Sequence, residues 1–382
     1  MLNMSIRKNR LIMFTRVYPP NKGGIEVVAE LYTKYFMMNN YEVQVVSMLP
    51  NAKKKINKTK GKFNESITFI QPTICIQSVF ISINYIFYCF LNYITSKKEE
   101  IFLIHHPSPL DSFLISIFYF LKKRNYIIIF HANIHSKNYF LTKISQFFCK
   151  LALKNSKTVI FTSENLLKLN SNKFSVDKKS FFLPIENSVK TEINYFTKEN
   201  NSVFRILFIG RLVKYKGLEI LLKAIEHIDN IHLEIFGDGV LKNELIKLTK
   251  QISIENKVTF HKDLSETNKI RLLETCNCLV LPSINEAEAF GIVQLEAMAY
   301  ALPVINTNLP TGVPEVSLHL KSGLTVPPQN IDSLKEAILL LSRDTQLLDN
   351  LSKGAIEQAK KFNFKNIFSK FNEILFKIEK NI

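Results

Sequence analysis

At 382 residues with 46% hydrophobic side chains, the chain is long enough for two domains of ordinary size with a core in each. Its formal charge of +17 is one-sided: residues 1–190 hold 27 Lys and Arg against 10 Asp and Glu, whereas the remainder holds 23 of each. Five scattered cysteines exclude a disulfide framework, and Cys276-Asn-Cys278 lacks the second pair that a zinc site needs, so the cysteines read as reduced core residues.

Residues 1–10 are mostly polar and basic, and the apolar run 11–15 is too short for a signal core, so no cleavable leader is expected. Short apolar runs at 11–15, 43–47, 101–105, 127–131 and 158–162 predict strands separated by longer helical stretches, the rhythm of a parallel sheet. Between them, residues 66–96 contain no charge, and the apolar part 74–94 is long enough to span a bilayer of about 30 Å. Gln77, Ser78, Ser82, Asn84 and Asn92 interrupt it, and a strand follows. The expectation is therefore one helix, partly core and partly interfacial, assisted by Phe113, Phe118, Tyr119 and Phe120. The polar, aperiodic stretch 186–203 predicts a linker. From Arg205 the alternation restarts, with strands expected at 233–236, 258–261, 279–281 and 304–306.

The densest chemistry lies in the run Glu288-Ala-Phe-Gly-Ile-Val-Gln-Leu-Glu296. Residues 278–281 read as a buried strand ending at Pro282 and 292–300 as a helix, which makes 283–291 a loop at a carboxyl sheet end, where open α/β sheets bind ligands. The N–H groups of Phe290, Gly291, Ile292 and Val293 would point from the helix start toward an anion, and Gly291 lets a phosphate approach the backbone. Glu296, about one and a half turns inside the helix, can accept two bonds from a ribose diol. The run thus reads as a site for a sugar nucleotide, with amides on phosphate, Glu296 on ribose and Glu288 on the sugar. A second strand, from Arg205, ends in Gly210-Arg211 and is followed by Lys214, Lys216 and Gly217. The forked guanidinium of Arg211 and the compact ammonium of Lys216 suit a departing diphosphate without a metal. A solvated basic turn is the bland alternative for Arg211 taken alone.

Together these segments resemble glycosyltransferase family 4, the retaining GT-B enzymes that use nucleotide sugars. Gly23-Gly24-Ile25-Glu26 resembles the family's N-terminal glycine loop, and Gly210-Arg211-Leu212 with Lys216-Gly217 its diphosphate motif. Phe236-Gly237-Asp238-Gly239 resembles a turn of its C-terminal domain, Glu288 to Glu296 its E-x7-E element, and Ser322-Gly-Leu-Thr-Val-Pro-Pro328 the strand and turn before its closing helices. The resemblance implies an α/β GT-B architecture, two Rossmann-like parallel-sheet domains facing each other across a cleft. Residues 1–190 would form the acceptor domain, with helix 366–382 packing back on it, and 191–365 the nucleotide-sugar domain. It also implies that His131, in Phe130-His-Ala-Asn-Ile134, touches the donor sugar or faces the acceptor side; His105 and His106, which end a strand before Pro107, are further candidates, with buried hydrogen-bonded histidines as the alternative. Gly23 and Gly24 would bring amides near the phosphates or the acceptor, although glycine at a strand-to-helix turn also has steric reasons.

The implied reaction retains anomeric configuration: the acceptor hydroxyl attacks from the face that the diphosphate leaves, and the departing oxygen takes its proton. His131, Arg211, Lys216 and Glu288 would act at the reacting centre, while Gly23, Gly24, Phe290, Gly291, Ile292, Val293 and Glu296 hold the donor. No Asp-x-Asp occurs, so no cofactor or metal is expected. The donor would be a UDP- or GDP-sugar, and the acceptor a glycan on polyprenyl diphosphate in bacterial surface-polysaccharide synthesis. The basic N-terminal half, including Lys53-Lys54-Lys55, Lys58, Lys60, Lys62 and Lys122-Lys123-Arg124, would meet anionic lipid at the cytoplasmic face of the plasma membrane. Nucleic acid is not expected, because no recognition helix, zinc spacing or aromatic RNA motif accompanies the charge. A non-hydrolysing nucleotide-sugar epimerase and a non-catalytic membrane-binding module remain alternatives. A nicotinamide enzyme is disfavoured because no full G-x-G-x-x-G follows a strand.

Overall fold

The computed structural model of the chain describes residues 9–21, 23–50, 54–76, 79–133, 139–174, 180–182 and 203–379. The expected linker lies outside them except for Val203, as does Ile134 of the histidine segment. The chain forms two compact units. One holds the described residues of Met1–Thr162, Leu166–Pro184 and Phe368–Ile382, and the other those of Ser163–Asn165 and Ile185–Ile367.

In the first unit the chain runs β1 (Arg10–Thr15), α1 (Gly24–Met38), β2 (Glu42–Met48), β3 (Ile56–Lys60) and β4 (Ser66–Ile70), then the hairpin strands β5 (Ile74–Ile76) and β6 (Val79–Ile81). It continues through α2 (Ile83–Thr95), β7 (Ile101–His106), α3 (Pro109–Leu121), β8 (Tyr126–Phe130), α4 (Tyr139–Asn155), β9 (Thr158–Phe161), α5 (Glu164–Phe174) and β10 (Ser180–Phe182). Eight of these strands form a sheet in the order β10-β9-β8-β7-β1-β2-β4-β3, with only β3 antiparallel to its neighbour. Apolar strands without alternation, such as Tyr126-Ile-Ile-Ile-Phe130, are buried on both faces, as a helix-covered parallel sheet requires.

The uncharged stretch 66–96 is not one helix. Ser66–Ile70 pairs with β2 from Gln44↔Ser66 to Met48↔Ile70, Pro72 follows, and only at Ser82, whose hydroxyl accepts from the Tyr85 N–H, does a helix begin. The 13 residues of α2 reach about 20 Å, too short for a bilayer, and no described helix is long and apolar enough to cross a membrane. Of the four aromatics expected to assist an interfacial face, Phe118 is instead buried in the core.

The interior of this unit is aromatic: Phe14 lies 5.4 Å from Phe102, Tyr93 4.9 Å from Phe102 and Phe130 4.9 Å from Phe161, centroid to centroid. The C-terminal helix contributes Phe371, fully buried 5.2 Å from the Tyr32 ring and 4.9 Å from Tyr35, and Phe368, stacked 4.5 Å from Tyr35.

The second unit runs β11 (Phe204–Ile209), α6 (Leu218–Ile225), β12 (Ile231–Phe236), α7 (Lys242–Gln251), β13 (Val258–Phe260), α8 (Glu266–Thr275), β14 (Cys278–Leu281), α9 (Val293–Ala299), β15 (Val304–Thr307), α10 (Val313–Val316) and β16 (Gly323–Val326). Helices α11 (Ile331–Arg343), α12 (Thr345–Lys360) and α13 (Phe364–Glu379) close the chain, residues 368–379 of α13 belonging to the first unit. Its six strands are all parallel, in the order β13-β12-β11-β14-β15-β16. The core is mostly aliphatic, built from residues such as Ile206, Leu221, Leu233, Val280, Ile305 and Ile338. Cys89, Cys149, Cys276 and Cys278 are buried and in no disulfide among the described residues.

Candidate active site

In the six-stranded sheet β11 lies between β12 and β14, so the direction of winding reverses between β11 and β14. Loops leaving the carboxyl ends of two such strands diverge and leave room for a ligand. Residues 210–217 follow β11, and residues 282–292 follow β14. The two loops are stitched together: the Ile284 N–H donates to the Tyr215 carbonyl at 2.9 Å, and Gly217 packs against Pro282. Gly217 has φ +68°, and a Cβ there would stand 2.0 Å from the Pro282 carbonyl oxygen, so no side chain fits. Gly291 is similarly constrained, with φ +71° and the Leu281 side chain 2.6 Å from where a Cβ would be.

This backbone frame brings Lys216 and Glu288 together. Lys216 closes a single 3₁₀ turn, Lys214–Lys216, and its Nζ lies 2.5 Å from Glu288 Oε2. The Ser283 hydroxyl donates to the same oxygen at 2.9 Å, and Thr311 Oγ1 donates to the Glu288 carbonyl at 2.9 Å. Lys216 is 9% exposed and Glu288 7%. A nearly dry ion pair adds little net stability, because the desolvation of both charges offsets their attraction. Arg211, on the same loop as Lys216, is exposed, and its Nη2 donates to the Tyr215 hydroxyl at 3.3 Å.

Glu296 is held by different partners. Its Oε2 lies 3.2 Å from Lys269 Nζ on α8, and Lys269 also reaches Glu266 at 2.9 Å. Burial disfavours the Lys269 cation, but the two carboxylates outweigh it and raise its pKa. The helix expected from residue 292 begins at Val293, capped by Ile292; the Gln294 N–H donates to the Gly291 carbonyl at 2.9 Å, and the Leu295 and Glu296 N–H groups donate to the Ile292 carbonyl at 2.9 and 3.3 Å. Gln294, fully buried, fixes this entry: its Nε2 donates to the Phe290 carbonyl at 3.0 Å, and its Oε1 accepts from Asn306 at 2.9 Å. Phe290 is itself buried, 6.1 Å from the Phe362 ring.

Residues 189–361 match the family model described as glycosyl transferases group 1. All the carboxyl-end residues above lie within this group 1 segment. Over 132 residues the chain is 36% identical to O-antigen chain mannosyltransferase C of Escherichia coli, covering 35% of each chain. Over 234 residues it is 26% identical to the N-acetylgalactosamine-N,N'-diacetylbacillosaminyl-diphospho-undecaprenol 4-alpha-N-acetylgalactosaminyltransferase of Campylobacter jejuni, covering 60% of this chain and 62% of that one. The chain spans less than two thirds of the length of the curated relatives it matches first, 59%, 39% and 35%. Among solved structures it is similar to sucrose-phosphate synthase from Thermosynechococcus elongatus, with a TM-score of 0.80 at 16% identity over 98% of this chain and 100% of that one. That likeness shows the fold, which is GT-B.

The remaining expected site residues belong to the first unit, where the winding reverses between β1 and β7. Gly23 caps α1 and Gly24 opens it. His105 and His106 end β7, and His131 follows β8. The structure places His131 in the interior, 4% exposed, with its Nε2 2.9 Å from His105 Nδ1 and the two rings stacked at 5.2 Å. Burial pulls His131 and His106 down to about 3 and His105 well below its ordinary value, so all three are neutral at pH 7. As a neutral ring His131 can exchange hydrogen bonds but offers no charge.

Sequence reasoning passed over Ser283, Lys269, Gln294 and Asn306. Gln294 carried a signal, since it is the one amide in the apolar face Phe290-Gly-Ile-Val-Gln-Leu295. Lys269 carried none, because its pairing with Glu296 joins two helices that are distant in sequence.

Proposed function

We propose that this chain is a retaining glycosyltransferase of family 4 type. It moves a hexosyl unit from a UDP- or GDP-sugar to a glycan on polyprenyl diphosphate, in bacterial surface-polysaccharide synthesis at the cytoplasmic face of the plasma membrane. The observation that carries this reading is the buried Lys216–Glu288–Ser283 cluster at the point where the second sheet reverses its winding. Lys216 and Arg211 supply cations for a diphosphate, and Glu288 supplies acceptors for sugar hydroxyls. Glu296, oriented by Lys269, accepts from the ribose diol, and the amides around Gly291 face the phosphates.

In the reaction the bond from the anomeric carbon to the diphosphate oxygen breaks as the acceptor oxygen attacks from the same face. The acceptor proton passes to the departing oxygen, giving the nucleoside diphosphate, while Lys216 and Arg211 hold the developing charge in place of a metal. The Escherichia coli and Campylobacter jejuni relatives, named for O-antigen and undecaprenol-linked substrates, support this choice of acceptor class.

Thermal unfolding of the full chain in EDTA, against UDP-, GDP- and ADP-sugars with NAD as control, tests the donor site. A ligand at about 100 times its dissociation constant adds roughly 2.7 kcal/mol to the folded state. A shift with one nucleotide class identifies the donor, and product NMR then reads the anomer. No shift with any nucleotide sugar overturns the reading. Donor consumed without acceptor, giving an isomeric nucleotide sugar, replaces transfer with epimerisation.

A further inference from the structure

The helix layer α2–α3–α4 of the first unit shows large apolar side chains on the face turned away from its sheet. On α2, Tyr85, Cys89 and Tyr93 are buried, while Ile83, Phe87 and Leu91, two positions back and so about 200° round the axis, are exposed. On α3, Leu114, Ile115 and Phe118 face the core, and Phe113, Ile117, Phe120 and Leu121 are exposed, Phe120 by 71%. On α4, Cys149, Ala152 and Leu153 are buried, whereas Phe140 and Phe147 are 70% and 62% exposed, with Leu141 and Ile144 beside them. These three helices carry 11 of the 19 large hydrophobics exposed among the described residues, so the pattern is not ordinary surface scatter.

The layer is continuous. Phe90 of α2 packs on Phe118 of α3 at 5.6 Å, and Phe113 of α3 on Phe148 of α4 at 4.7 Å. At the carboxyl ends of these helices lies an open cavity of about 400 Å³ that Lys98, Lys123, Arg124, Lys154 and Lys157 help to line, and none of its lining residues is acidic. Phe120 and Leu121 lead directly into Lys122-Lys123-Arg124, so the apolar face ends at the cations.

We propose that this face docks onto an anionic lipid bilayer, with the phenylalanine and leucine side chains in the interfacial zone and the cation cavity around a lipid phosphate. An apolar sheet edged by cations matches a surface with an apolar interior and an anionic skin, and interfacial helices of this composition sink about 5–10 Å. A second copy of the chain matches it less well, since it brings the same cations and a net +17 over residues 1–190 toward their like. The assignment rests on the lipid-linked acceptor reading above for its purpose, but on none of the donor-site residues.

The test is co-sedimentation of the full chain with phosphatidylcholine vesicles, with and without phosphatidylglycerol. Wild type should bind the anionic vesicles more than about tenfold better than the neutral ones. Phe120→Asp combined with Phe147→Asp, both at exposed positions, should lose about tenfold in vesicle binding, with an unchanged unfolding midpoint and an unchanged nucleotide-induced shift. Lys98→Glu with Lys123→Glu should erase the anionic preference. Failure of wild type to bind anionic vesicles, or binding by the variants equal to wild type, overturns the proposal. So does a wild-type dimer, dispersed by Phe120→Asp, in a protein that ignores vesicles. Loss of the nucleotide shift with vesicle binding intact strikes the donor reading alone.

Discussion

The two units share a parallel α/β plan and a winding reversal, yet they are made of different material. Of the 12 largest fully buried side chains among the described residues, 11 lie in the first unit and only Phe208 in the second. Residues 1–190 also hold the whole charge excess, while residues 191–382 carry 23 charges of each sign. The difference fits the proposed roles: a donor site in the second unit would need glycines where loops touch and paired ions, and the docking face proposed for the first would tolerate bulky aromatic filling behind it.

The largest effect should come from the second unit's ion pair. Lys216→Ala and Glu288→Ala should each lower transfer by about 10³-fold or more, with near-ultraviolet circular dichroism unchanged. Near-wild-type turnover in either would remove the contrast between a catalytic and a presenting unit. Next comes the aromatic interior of the first: Phe371→Ala should cost about 3–5 kcal/mol in urea unfolding, leaving the donor-induced shift intact. A loss under about 1 kcal/mol would mean that the C-terminal helix is not part of that core.

The buried histidines set a pH dependence peculiar to the first unit. Unfolded, each binds a proton near pH 6.5; folded, His106 and His131 resist until about 3, and burial holds His105 well below its ordinary value. The unfolded chain therefore takes up protons first as pH falls. Stability, full above about 6.5, should decline by roughly 1.4 kcal/mol per pH unit per histidine below it. Asp111, whose carboxyl burial pushes up, works in the opposite direction and offsets part of the fall at the acid end. Unfolding midpoints at pH 7.5, 6 and 5 check this, and His131→Asn should flatten the slope; a flat wild-type profile would refute it. The smallest effect belongs to Lys269→Met, which should raise the donor KM by about fivefold at unchanged kcat, because a partly exposed pair contributes under about 1 kcal/mol.

The strands that carry the site were legible because buried parallel strands are continuous apolar runs: expected 101–105 and 304–306 became Ile101–His106 and Val304–Thr307. Residues 66–96 were not, since uncharged side chains suit a covered strand and a helix equally, and only the pairing of Ser66–Ile70 with β2 decides between them. In the loop after β14, Gly291 was legible as a point of close backbone approach, whereas the left-handed backbone of Gly217 against Pro282 shows only in the fold. Lys269 and the His105–His131 pair stayed hidden because each joins residues that only the folded sheet brings together.

Strand β3, Ile56–Lys60, is the outer edge of the eight-stranded sheet, and after Ile56 every residue on it is exposed. An unpaired edge invites a strand from another molecule, and any strand added here would have to lie across Lys58 and Lys60 and desolvate them. At the opposite edge lies β10, Ser180–Phe182, three residues among those described. Lysines that in the bare sequence looked like an attraction for anionic partners therefore also act as a guard against sheet-to-sheet aggregation. Neutralising Lys58 and Lys60 would leave the fold intact and make the protein harder to keep in solution.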